Sequence, residues 1–253
     1  MKNARGQINA LLVGRCALRS FLLQASWNFE SLQGLGALYV LAPALRCLYR
    51  GEERKQAFQR HLGYFNSHPY LGAAILGSAI ALETDAVAGT PQDGVSASDF
   101  NGMMMAPFAA MGDALFWGGI RPLAAVLALF FAVRGSLLAC AVLLLVYNLP
   151  HLFFRFWGFF RGWQRGAGIV ATIQRWHLPD LAIRIKEAVV ILLGGLCAMW
   201  VSMMLHDKGL PPAVGFVALP VVGFCCWLAR KGVSPLAMIY LGTFLTLAVR
   251  VLK

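Results

Sequence analysis

Three apolar segments near the C-terminal end, Glu187–His206, Ala213–Ala229 and Pro235–Leu252, constrain this chain more than any other feature. Each is about 17–20 residues long, close to the length a helix needs to cross a ~30 Å hydrocarbon core. Only short polar connections, residues 206–212 and 230–234, separate them. Composition points the same way: 59% of the 253 residues are hydrophobic and 13% are charged, against about a quarter charged in a soluble domain. Disorder is excluded too, because it requires few apolar residues and much charge. The expected fold class is an all-α, polytopic integral membrane protein, with short or re-entrant helices followed by three C-terminal transmembrane helices. Two regions are expected: 1–186 with amphipathic and short membrane helices, and 187–253 with the plain spans.

Charge supplies an orientation. Lys and Arg number 22 against 11 Asp and Glu, a net +11. These basic residues sit at the ends of apolar segments and form no dense patch with polar base-readers, so the partner is a membrane surface and not nucleic acid. Arg155, Arg161, Arg165, Arg175, Arg184 and Lys186 precede the first span against one acid, Asp180. The positive-inside bias therefore makes residues 155–186 and the Arg230/Lys231 turn cytoplasmic, with 206–212 and the C-terminus external. The basic N-terminus is expected on the cytoplasmic side, so the region before 186 should cross an even number of times or not at all. The six cysteines lie mostly in apolar runs, with no CxxC, and read as small buried hydrophobes.

The middle of the chain is less regular. Leu123–Leu149 is 27 apolar residues long, about 40 Å as one helix and too long for the bilayer core unless strongly tilted. Arg134-Gly135-Ser136 divides it into halves of 11 and 13 residues, the length expected of re-entrant helices. Ile8–Trp27, Leu32–Leu48 and Tyr70–Leu82 are likewise short or interrupted by Gly and Pro. Broken apolar segments of this kind point to a transporter's substrate site; the alternative is that some are core helices of a cytosolic lobe, against which their length favours the membrane. Glu52–Phe65 reads as an amphipathic helix with Phe58, Leu62 and Phe65 on one side. Thr84–Asn101, with five Ala or Gly, one Pro and three Asp, reads as an exposed loop.

Polar groups bordering apolar segments are costly and mark functional sites. They fall into four clusters: Asn66-Ser67-His68-Pro69-Tyr70 with the later Glu83; Gly112-Asp113 running to Arg121-Pro122; Tyr147-Asn148-Leu149-Pro150-His151 with Arg155; and Gln24 to Glu30. Carboxylates, amides and arginine suit sugar hydroxyls, and aromatic rings suit pyranose faces. Composition alone leaves a structural role open for each: Asn66 as a cap, Pro69 and Pro122 as helix starts, His151 and Arg155 as a polar helix interface. The five histidines show no HxxxH or HExxH spacing, so no metal site is expected. There is no GxSxG, P-loop or dinucleotide fingerprint, and no catalytic constellation.

At these same clusters the chain resembles the IID subunits of the mannose/fructose/sorbose family of the bacterial phosphoenolpyruvate-dependent sugar phosphotransferase system. Leu18 to Glu30 matches the N-terminal signature of that family. Arg60-His61-Leu62 and Phe65-Asn66-Ser67-His68-Pro69-Tyr70-Leu71 resemble its RHL…FNTHPYL motif, with Ser67 for the usual Thr. Gly112-Asp113-Ala114-Leu115-Phe116-Trp117-Gly118-Gly119-Ile120-Arg121-Pro122 is similar to GDS(L/I)FWGTLRP, and Tyr147-Asn148…His151…Arg155 to YNxxH…R. The resemblance implies a non-catalytic translocation subunit of the bacterial inner membrane, without cofactor or metal. It would form a hexose path with a IIC partner, in a higher-order assembly of IIC–IID pairs, while cytoplasmic IIAB proteins phosphorylate the sugar. The phospho-histidines then belong to IIA and IIB. Asn66, His68, Glu83, Asp113 and Arg121 are the expected path residues, with Gln24, Asn28, Glu30, Asn148, His151 and Arg155 behind them. The alternative is a non-transporting scaffold or sensor that recruits phosphotransferase proteins. Gly118-Gly119 in place of Gly-Thr, and the reduced acidic run Glu83-Thr84-Asp85, leave the sugar open.

Overall fold

The computed structural model describes residues 8–90 and 94–251. Among these the chain is helical, with only two isolated bridge pairs, Asn28 with Leu32 and Leu32 with Phe65. It divides into two compact units, residues 1–192 and 193–253.

The first unit opens with α1 (Ala10–Arg19), whose N-terminus is capped by the Asn9 carboxamide accepting from the Leu12 amide at 2.9 Å. A tight 3-10 turn, Ser20–Leu22, ends it. Then follow α2 (Gly34–Leu48), α3 (Gly51–His61) and α4 (Gly72–Ala88). α4 is closed by Gly89 in the left-handed region, φ 74°, with the Thr90 amide donating back to Asp85 O at 3.0 Å. α5 (Ala97–Gly112) begins at a capping pair in which Ser96 Oγ accepts from the Asp99 amide at 3.1 Å. It runs without interruption into a π-helical segment, Asp113–Ile120, and then α6 (Arg121–Ala132). A turn with Gly135 at φ 69° leads to α7 (Leu138–Arg165), the short α8 (Ile169–Gln174) and α9 (Leu178–Asp207). The boundary between the units falls inside α9. The second unit continues with a 3-10 segment (Pro212–Val217), α10 (Ala218–Arg230) and α11 (Pro235–Val251).

Four helical stretches have spanning length and apolarity: 97–132, 138–174, 178–207 and 212–230; Gly34–Leu48 and Pro235–Ala248 are shorter apolar helices. The chain is thus an all-helical, polytopic membrane protein. The turn at Arg134–Ser136 lies where expected, but each adjoining apolar half is the end of a longer helix, because the backbone stays helical through the polar motifs. Pro107 and Pro150 sit inside these helices, where membrane packing tolerates them. The expected loop Thr84–Asn101 also shortens: 84–88 complete α4, 97–101 begin α5, and 91–93 lie outside the described residues. The alanines there propagate helix as readily as they permit turns. α3 ends at His61, and its inward residues are Ala57 and His61 while Leu62 is exposed.

The tightest packing joins α4 to α7. A Cβ on Gly77 would lie 2.1 Å from Phe159 O, and one on Gly162 would lie 2.2 Å from Ala74 O. Gly158 and Gly162 on α7 therefore face Ala74 and Ser78 on α4, a small-xxx-small crossing on both sides.

Candidate functional site

Where α4, the π segment and α7 meet, the first and third sequence clusters come together. His68 is 1% exposed, in the loop before α4. Its ring stacks on Phe116 at 5.2 Å and 15°, meets Tyr70 edge-on at 4.8 Å and tilts against Trp117 at 5.0 Å. The packing needs Gly112, where a Cβ would fall 2.3 Å from His68 Cβ and Cγ. Nδ1 of His68 accepts from the Tyr70 amide at 3.3 Å. Burial pushes the His68 imidazole down to about 4, with the charge of Arg155 and the nearby His151 acting in the same direction, so the ring is neutral at physiological pH.

Tyr70 joins the two clusters. Its ring stacks on His151 at 3.9 Å, and its hydroxyl shares a 2.8 Å hydrogen bond with the Tyr147 hydroxyl. Burial and this bond push the Tyr70 phenol up to about 12. Arg155, one turn beyond His151, is 4% exposed. It donates from Nη1 to the Ser20 carbonyl, and its guanidinium lies 4.5 Å from the Phe21 ring centre and 5.3 Å from that of Tyr70. Arg155 thus ties the turn after α1 to α7.

Several nitrogens in this cluster are buried with no hydrogen-bond partner among the described residues: His68 Nε2, both ring nitrogens of His151, and Arg155 Nε. Each such group costs about 1–3 kcal/mol when left unpaired. They are polar capacity held in an aromatic setting, which suits a hydroxyl-rich ligand or the polar face of a partner.

The second cluster borders this one. Asp113 opens the π segment and Arg121 follows it; both are exposed, and neither forms a hydrogen bond or ion pair with a described side chain. Between them the widened turn presents exposed Trp117 and Gly118. Lys186 of α9 lies over this turn: its Cε would be 3.1 Å from a Cβ on Gly118. Such π-helical insertions are common at functional sites.

The remaining candidates have local roles. Asn28 Oδ1 accepts from the amides of Glu30 and Ser31 at 3.0 and 2.8 Å, fixing its loop, while Gln24 and Glu30 are exposed. The Asn66 amide donates to Met105 Sδ at 3.1 Å. Asn148 donates to Leu144 O on its own helix. Glu83 stands apart, 11 residues along α4 from Gly72 and so about 17 Å away. It accepts from Tyr49 Oη, from Arg60 Nη2 at 3.1 Å, and lies 2.8 Å from His61 Nε2. That cluster holds α3 on α4. Sequence spacing gave no sign of it, nor of Gln33, whose carboxamide pairs with the Ser67 backbone at 2.9 and 3.1 Å. Tyr70, Tyr147, Phe116 and Trp117 stood within the motifs; their aromatic character at helix-facing positions was the signal for them. Among the described residues no group of three or more His, Cys, Asp or Glu is placed to hold a metal ion.

Comparison with known proteins gives this arrangement a setting. Residues 7–253 match the family described as the mannose/fructose/sorbose family IID component of the phosphotransferase system. The mannose-specific EIID component of Escherichia coli K12 is 35% identical over 243 residues, covering 88% of this chain and 86% of that protein. The fructose permease IID component of Bacillus subtilis 168 is 30% identical, covering 88% of each. A cryo-EM structure described as mannose transporter ManYZ with microcin E492 contains a similar chain: TM-score 0.59, 32% identity, 97% of each chain covered. A second solved structure, described as a membrane protein, superposes with TM-score 0.74 at 32% identity and 96% coverage of each chain.

Proposed function

This chain belongs to the mannose/fructose/sorbose family of phosphotransferase-system IID components, and from that premise we propose that it forms a hexose path together with a IIC partner in the bacterial inner membrane. Cytoplasmic IIAB proteins phosphorylate the sugar; this subunit performs no phosphoryl transfer. The observation that carries this reading is the π segment, with Asp113 and Arg121 exposed and without a hydrogen-bond or ion-pair partner among the described residues, on a helix of spanning length. Charges in that setting are stable only against a water-filled path, a polar ligand or a partner chain. Behind the segment, His68 and Tyr70 pack on Phe116 and His68 on Trp117, with His151 and Arg155 against Tyr70; the orphaned nitrogens of His68, His151 and Arg155 supply further hydrogen-bonding capacity. The N-terminus is cytoplasmic and the C-terminus external. Five crossings, the four long stretches and Pro235–Val251, agree with opposite sides provided residues before 97 make no net crossing.

The reading is tested by expressing the chain with and without a IIC partner in cells that supply IIAB. Phosphorylated hexose should accumulate only when both membrane chains are present. Uptake by either chain alone, or by neither combination for any hexose, would overturn it.

A further inference from the structure

Beside α2 lies a groove of about 640 Å³, separate from the aromatic cluster, lined by apolar residues including Leu22, Leu35, Leu38 and Ala42 together with Arg19 and Arg46. Among the described residues no acidic side chain lines it. We propose that this groove binds an anionic phospholipid, its phosphate held between Arg19 and Arg46 and an acyl chain lying along the leucines.

The geometry supports one amphiphilic occupant. Arg19 lies 4.4 Å over the Tyr39 ring and donates from Nη1 to Tyr39 O at 3.1 Å, leaving its other donors available. Arg46 sits one side of the same helix, seven residues and about 10 Å beyond Tyr39, with its guanidinium 5.9 Å from the Phe58 ring. Aromatic faces thus position both cations without neutralising them, and both line the same groove. Arginine forks match phosphate oxygens. Apolar side chains stand exposed at the groove: Leu22 is 51% and Leu35 46% exposed, a surface that suits hydrocarbon. α3 closes one side through Phe58; its own charges are mixed, with Lys55 paired to Glu52 at 3.3 Å, so the cationic character of the groove comes from Arg19 and Arg46. Two such cations beside apolar side chains are attracted to an anionic leaflet. A free phosphate would leave the leucines exposed to water, and a zwitterionic lipid such as phosphatidylcholine would bring a choline cation against the two guanidinium groups and offset the attraction of its phosphate.

Native mass spectrometry of the full chain, purified with its IIC partner, provides the test, using phosphatidylglycerol and phosphatidylcholine as probes. The intact complex should retain phosphatidylglycerol preferentially. Arg19→Gln with Arg46→Gln should lower that retention about tenfold and leave phosphatidylcholine unchanged. Arg46→Gln alone, which breaks no hydrogen bond, should show part of the loss. Leu35→Trp, at an exposed lining position, fills the groove and keeps both arginines, and should lower it too. Equal retention of the two lipids, or phosphatidylglycerol binding unaffected by these substitutions, would overturn the proposal. So would efficient cross-linking of Leu22→Cys to the partner chain, since protein would then occupy the groove. None of these outcomes bears on sugar transport, so the two readings fail separately.

Discussion

Replacing Gly162 with leucine is expected to cost the first unit about 3 kcal/mol or more, more than overpacking an ordinary core position. The neighbours at this point are main chain: a Cβ meets Ala74 O at 2.2 Å and Ser78 N at 2.8 Å. A side chain can move aside, but two helix backbones held together by further contacts cannot separate at a single point. The crossing of α4 and α7 also places His68 and Tyr70, ahead of α4, against His151 and Arg155 on α7. Loss of the crossing therefore dismantles the aromatic cluster as well. Thermal unfolding of the purified protein in detergent should show a large drop in Tm or loss of monodisperse protein. Gly194→Leu is the control, because a Cβ there meets nothing within 4 Å, and its Tm should change little. Equal behaviour of the two variants would show that the close crossing does not limit stability.

The second large effect is expected at Glu83. Its carboxylate is buried and holds three partners, Tyr49 at the end of α2 and Arg60 and His61 on α3. Breaking a buried charged cluster costs about 3–5 kcal/mol; because the Arg60 side chain is 43% exposed and solvent screens its share, about 2–3 kcal/mol is expected for Glu83→Gln. Burial alone would raise this carboxyl, but hydrogen bonds from His61 and Tyr49, with the charges of His61 and Arg60, hold it below its ordinary 4.5. A depressed carboxylate stabilises the fold above its ordinary value, and that contribution is lost as pH falls through the depressed folded value. The intact protein should thus lose Tm on acidification below about pH 4.5, and Glu83→Gln should show a flatter dependence there. A variant with unchanged Tm and the same acid limb would remove Glu83 from the stabilising contacts. Glu83 was expected at the substrate path; we still propose a path for this subunit but assign Glu83 to anchoring α3.

The helical, membrane-embedded class was legible because lipid imposes one simple demand, a long apolar helix, which Glu187–His206 and its successors display openly. Helix lengths in the middle were not legible, since the apolar run ends before the helix does: Asn101 to Gly112 and His151 to Arg165 stay helical while carrying polar groups. The π segment was hidden for a related reason, because Asp113–Ile120 differs from an α-helix in backbone winding and not in composition. His68, His151 and Arg155 were found because buried polar residues in an apolar chain are conspicuous. Their gathering around Tyr70, and the tie from Arg155 to Ser20, depend on contacts 77 and 135 residues apart in sequence, which no spacing rule encodes. Asn28 and Asn148 looked the same in sequence as Asp113, yet satisfy their own backbones.

The central claim is that the unpaired π segment meets the sugar path, and equilibrium binding of radiolabelled hexose to the purified IID–IIC complex tests it most directly. Asp113→Asn retains shape and removes charge, so the complex should assemble as before while hexose binding weakens about tenfold or more, as for loss of a charged hydrogen bond. Unchanged affinity in an intact complex would contradict the claim and leave the exposed carboxylate with a purpose other than transport.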